Sequence, residues 1–131
     1  MNLTSLRIIT ADIKRLVQFL EKITGLTATW YTEDFAEIVT STSTLAIGST
    51  KTMALFGGEI AQPASNKSVI IEFRVEDVDT EYERIKDLIS DVVQKPTTMP
   101  WGNRSLLFRD PDGNLINFFT PVTPKAIEKF S

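Results

Sequence analysis

The 131-residue chain contains no cysteine and no histidine. Without cysteine there are no disulfides, no thiolate nucleophile and no thiolate metal site. The absence of histidine removes the commonest general base and the commonest transition-metal ligand. No basic run appears, and 14 Lys+Arg against 17 Asp+Glu leave a formal charge of −3. Nucleic-acid binding needs a cationic face to displace counterions, so no nucleic-acid partner is expected. No apolar stretch approaches the roughly 20 residues of a membrane span, so no membrane partner is expected either. The opening Met-Asn-Leu-Thr-Ser-Leu-Arg lacks the basic region and apolar core of a secretory leader, and a cytoplasmic location is the expectation. Hydrophobic residues at 42% and charged residues at 24% are ordinary for one soluble globular domain.

Two aspartates organise what is present. Leu6 to Thr10 is rich in β-branched residues and reads as a strand ending just before Asp12. Beyond Asp12, Ile13, Leu16, Val17, Leu20 and Ile23 recur at helical spacing, with Lys14, Arg15, Gln18 and Glu21 opposite. Asp12 is then a natural N-cap and Gly25 a natural stop. The grammar recurs around Asp77, 65 residues on: Val69–Val75 is strand-like, and Val78, Tyr82, Ile85 and Ile89 mark an apolar stripe. A repeat at half the chain length indicates a tandem duplication.

Shorter strands follow each helix, at Thr27–Tyr31, Phe35–Thr40 and Thr44–Gly48, then at Val92–Lys95, Arg104–Phe108 and Leu115–Thr120. Asp110-Pro111-Asp112-Gly113-Asn114 is a hairpin turn, since Pro presets φ and Gly accepts φ > 0. A further short strand is expected at Thr52–Phe56. Gly57 to Lys67 reads as the linker between module one (1–56) and module two (68–121), and the tail 122–131 as one helical turn.

The stretch Pro100-Trp101-Gly102-Asn103-Arg104 followed by Phe108-Arg109-Asp110-Pro111-Asp112-Gly113-Asn114 resembles a signature of the glyoxalase/bleomycin-resistance/dioxygenase (vicinal oxygen chelate) superfamily, on the bleomycin-resistance-like side. The resemblance extends over nearly the whole chain. It implies an α+β fold of two βαβββ modules whose mixed sheets curve into a cup. Enzymatic members hold a divalent metal there. Carried over, the four ligand positions fall on Ser5, Ala46, Ile70 and Asn117, which offer a metal neither charge nor strong donors. Glu72 shares the strand face of Ile70, but one carboxylate is too few. No metal, no other cofactor and no catalytic residue are therefore expected.

What remains is a small-molecule site. Trp101 at the rim is a stacking candidate. Trp30 and Phe35 either stack on a ligand from the first half or belong to the core or a dimer interface. Arg104 either clamps an anionic group from the rim or holds Asp110 or Asp112 in an ion pair. Strand alternation and the family pattern together put Ser105 and Leu107 inward, with Ser5, Ile70 and Asn117. Glu33, Asp34 and Glu37 either attract a cation or merely solvate a loop. The expected function is sequestration of an antibiotic-like or other small organic ligand by a homodimer; the competing reading is a superfamily enzyme, lyase, isomerase or dioxygenase, with a remodelled site.

Overall fold

A computed structural model describes residues 1–131 and resolves them into two compact units, Met1–Asn66 and Lys67–Ser131. In the first unit, strand β1 (Ser5–Thr10) leads into helix α1 (Ile13–Thr24) and then β2 (Thr29–Thr32), β3 (Phe35–Val39) and β4 (Thr44–Ser49). The sheet order is β1-β4-β3-β2, with β1 parallel to β4 and the other pairs antiparallel. The second unit runs β5 (Ile70–Arg74), α2 (Val78–Ile85), β6 (Val92–Thr98), β7 (Asn103–Arg109) and β8 (Leu115–Pro121), ordered β5-β8-β7-β6 with the same sense of pairing. The α+β reading and the duplication both describe the observed architecture.

The helices form where the sequence caps them. Asp12 accepts from the Arg15 amide at 3.1 Å, and Gly25, at φ 72°, donates to the Glu21 carbonyl. All five stripe residues of α1 are buried. Each contributes roughly 1.5–3 kcal/mol of apolar burial, which dwarfs the ~1 kcal/mol of the cap. Asp77 caps α2 through the Asp79 and Thr80 amides. That helix ends at Ile85, and Ile89 reaches the core from the following turn instead.

Three boundaries differ from expectation. Thr50–Phe56 is a 3-10 helix, where a strand over 52–56 is expected. The Ser49 hydroxyl accepts from the Lys51 amide and donates to Asp34 Oδ1, so a capped turn takes the backbone that a strand would have used. Strand β6 runs on through Pro96 to Thr98, its register shifting between Gln94 and Thr97. An edge strand tolerates a residue without an N–H. The tail forms helix α3 (Pro124–Lys129), capped by Thr123. No helix is long and apolar enough to cross a membrane.

Candidate functional site

Strand alternation gives each sheet two faces. In the second unit, Leu106, Phe108, Ile116 and Phe118 are almost fully buried on the face that carries α2. Arg104 and Thr120 share that face, and both engage the helix: Thr120 Oγ1 accepts from the Val78 amide at 2.9 Å. The Arg104 guanidinium holds Asp79 in two hydrogen bonds of 2.8 and 3.1 Å and reaches Thr98 Oγ1 at 3.2 Å. Its pKa is raised, first by that hydrogen bond to Asp79. Arg104 therefore ties β7 to α2. This corrects the expected ion pair, which is made with Asp79 and not with Asp110 or Asp112.

The opposite face brings together Ile70, Glu72, Ser105, Leu107 and Asn117. Its composition is unusual for an exposed sheet surface, because Ser105 is 4% exposed and Asn117 8%. Asn117 lies directly across from Glu72, and its Nδ2 donates to Glu72 Oε2 at 2.8 Å. A carboxylate only accepts, so this contact fixes the orientation of the carboxamide. The Asn117 Oδ1 is then buried with no hydrogen-bond partner. An unpaired buried acceptor costs about 1–3 kcal/mol. Asn103, on the same face four residues before Leu107, has a second buried, unpartnered amide oxygen.

One end of this face is closed. Phe119 packs on Phe130 with ring centroids 5.1 Å apart, and the Arg74 guanidinium donates to the Phe130 carbonyl. A groove of about 410 Å³ opens beside them, lined by Arg74, Thr120, Pro121, Ile127, Phe130 and Ser131. None of the residues singled out from the sequence for ligand binding lines it, and Arg74 is already committed to the chain's own carbonyl.

In the first unit, Ala36, Ile38 and Ile47 are fully buried on the face that carries α1. Trp30 pairs with Ala36 and so lies at the edge of that helix face, 42% exposed, and not with the groove candidates. Phe35 is on the opposite face with Ser5, Arg7, Glu37 and Ala46. The Arg7 guanidinium sits 5.2 Å from the Phe35 centroid, and Tyr31 packs on the same ring at 5.9 Å. A hydrogen bond to Glu37 raises the Tyr31 pKa. Of the acidic trio, Asp34 accepts from the Ser49 hydroxyl and so serves local structure.

Trp101 caps the turn between β6 and β7 and is 65% exposed. Its neighbour Gly102 has φ 97°, and a Cβ there would come within 2.1 Å of Thr123 Oγ1. The Trp-Gly pair thus splits into a structural glycine and a free ring. Asp110 is likewise structural: its carboxylate accepts from the Asp112 and Asn114 amides and from Asn114 Nδ2, at 2.7–2.9 Å.

The residues do not suit a divalent metal. Ser5 and Ile70 are exposed, Ala46 has no donor, and no three Asp, Glu, His or Cys side chains group together. Glu72, which the alternation rule placed on this face, becomes significant only through its pairing opposite Asn117. That register is not written in either strand alone.

The chain matches the Glyoxalase/Bleomycin resistance protein/Dioxygenase superfamily over residues 2–118 and belongs to it. It is 29% identical over 125 residues to YraH of Bacillus subtilis (strain 168), itself uncharacterized, covering 91% of this chain and 98% of that one. Its fold is that of a glyoxalase/bleomycin resistance protein/dioxygenase from Nocardioides (22% identity, TM-score 0.77, 95% and 85% of the two chains covered). A family enzyme from Burkholderia phytofirmans PsJN shares the same fold at 15% identity (TM-score 0.78, covering 93% and 100%).

Proposed function

We propose that the protein is a metal-independent binding protein that sequesters a small, antibiotic-like organic molecule in the cytoplasm, acting as a homodimer. The observation that carries this is Asn117, buried on the helix-free face of the second sheet with its carboxamide oxygen unpaired. Ser105 supplies a second polar group there, and Leu107 and Ile70 supply apolar wall, the mixture typical of small-molecule sites. The superfamily relation supports a ligand-binding role without choosing its chemistry. Dimerisation is supported by the free outer edges of β1 and β5, which present unpaired backbone groups.

A thermal-shift screen across small organic molecules and divalent metals tests the reading. A ligand at 100 times its Kd stabilises the fold by about 2.7 kcal/mol. A hit whose shift disappears in Asn117→Leu supports the assignment. A hit unaffected by that change, or stoichiometric metal in the purified protein, overturns it. Trp101→Ala separately tests whether the exposed ring stacks on the ligand.

A further inference from the structure

The helix-free face of the second sheet carries one carboxylate at its centre and no cation paired with it. Glu72 is exposed, and its one hydrogen bond comes from the neutral Asn117 amide; no lysine or arginine forms an ion pair with it. Beside it lies the Asn117 oxygen, in a side chain more than nine-tenths buried and lacking any donor. Leu107 flanks Asn117 across the β7–β8 pairing, and Leu115 and Ile70 lie one step along the sheet. A carboxylate held by a neutral amide, free of any cation and walled by aliphatic carbon, is complementary to a cation with several N–H donors on an apolar body.

We propose that this face binds an aryl- or alkyl-substituted amidinium, guanidinium or protonated amine. The inference rests on the binding role proposed above and names its ligand class. The ligand's N–H groups take the Glu72 carboxylate as a charge-assisted pair. Asn117 Nδ2 keeps its bond to Glu72 Oε2, so the ligand takes the carboxylate's other oxygen. Asn117 acts as a positioning group, and Glu72 supplies the charge.

Three near-isosteric probes separate charge from shape: benzamidinium, benzamide and benzoate. Each is titrated into the full chain and followed by amide chemical shifts on β5, β7 and β8. Benzamidinium is expected to bind about tenfold or more tightly than benzamide, with shifts centred on Glu72 and Asn117. Glu72→Gln, which keeps an acceptor for Asn117 and hence the fold, is expected to erase that preference while leaving the free protein's spectrum intact. Equal or tighter binding of benzamide or benzoate on this face, unchanged in Glu72→Gln, overturns the ligand class and leaves the binding role standing. No shift on the face with any probe overturns this inference. The binding role then fails separately if the wider screen also finds no ligand sensitive to Asn117→Leu.

Discussion

The two units share one topology, yet equivalent positions on their helix-free faces have diverged in opposite directions. Register aligns Ser5 with Ile70, Arg7 with Glu72, Phe35 with Ser105, Glu37 with Leu107, Ala46 with Asn117 and Gly48 with Phe119. The first unit sets aromatic rings on its face, where Arg7 rests on Phe35 and Tyr31 packs on the same ring. The second buries an asparagine whose oxygen has no partner and leaves Glu72 without a cation. A duplicated scaffold needs its helix faces to stay apolar in both copies, because they hold the core. The other faces are free to specialise. The proposed binding role rests on the second unit, whose face holds the buried, unpaired carboxamide oxygen.

The helix faces set the largest effect. Phe118 and Ile47 occupy equivalent core positions, 1% and 0% exposed. Phe118 makes edge-on contacts with Phe73 and Phe108 at 5.7 and 5.2 Å. Phe118→Ala is expected to cost about 3–5 kcal/mol, and Ile47→Ala to fall lower in the 2–5 kcal/mol range. Amide hydrogen exchange read unit by unit checks this. A smaller loss for Phe118→Ala would mean that the aromatic cluster is no better packed than its aliphatic counterpart.

Two glycines at positive φ give the next contrast. Gly57, ending the 3-10 helix, and Gly102, under α3, both have φ near 95°. Nothing lies within 4 Å of a Cβ at Gly57, whereas one at Gly102 would strike Thr123 and Ala126. Gly57→Ala is expected to cost only the left-handed strain, about 1 kcal/mol. Gly102→Ala adds a steric clash and is expected to cost about 2–4 kcal/mol. Urea denaturation of the two variants decides it, and equal midpoints would show that α3 simply moves aside.

These contrasts also mark how far the sequence could be read. Both capped helices, the paired strands and the Asp110–Asn114 turn follow local rules of capping, periodicity and turn chemistry, and all are observed. Ser105, Leu107, Asn117, Ile70 and Ser5 lie on the helix-free faces that strand alternation, read with the family pattern, assigns them. Arg104 shows where such reading stops: parity puts it outward, but its partner Asp79 lies 25 residues away on α2. Trp30, read as either a stacking or a core or interface residue, could not be placed for a related reason. The bulge between Trp30 and Thr32 sets which of its side chains shares a face with Phe35, and a bulge leaves no mark in so short a strand. The Glu72–Asn117 pair needs a parallel register between strands 45 residues apart.

If Asn117 is unsatisfied for the sake of a ligand, removing it should relieve the fold. Asn117→Leu abolishes a buried orphan acceptor and loses only the bond to exposed Glu72. Stability is expected to stay level or rise by about 1 kcal/mol while ligand-induced stabilisation is lost. Ala46→Asn in the first unit is the reciprocal change. It buries an amide at the 2%-exposed equivalent site and is expected to destabilise. Calorimetry of both variants checks the pair. Destabilisation by Asn117→Leu would show that the asparagine is structural after all.

The smallest effect separates the two hairpin turns by pH. In the first unit, Thr40 closes the β3–β4 turn, its hydroxyl donating to the Ser43 carbonyl and accepting from the Ser43 amide, with no ionisable group involved. In the second, Asp110 does the same work at 5% exposure. Burial raises its pKa, outweighing the hydrogen bonds from Asn114 and Asp112 that pull it down. A raised value means that the native state binds this proton more tightly than the unfolded chain. The resulting stabilisation is complete below the unfolded value of about 3.9 and is lost as pH rises through the native one. Asp110→Asn fixes the group as neutral, but turns an N–H₂ toward Asn114 Nδ2, at a cost of about 1 kcal/mol. The wild-type advantage over this variant is therefore expected to be largest near pH 3.5 and to shrink as pH rises. Urea midpoints across that range measure the difference directly. A constant gap would mean that the three N–H donors cancel the burial, leaving the second turn as indifferent to pH as the first.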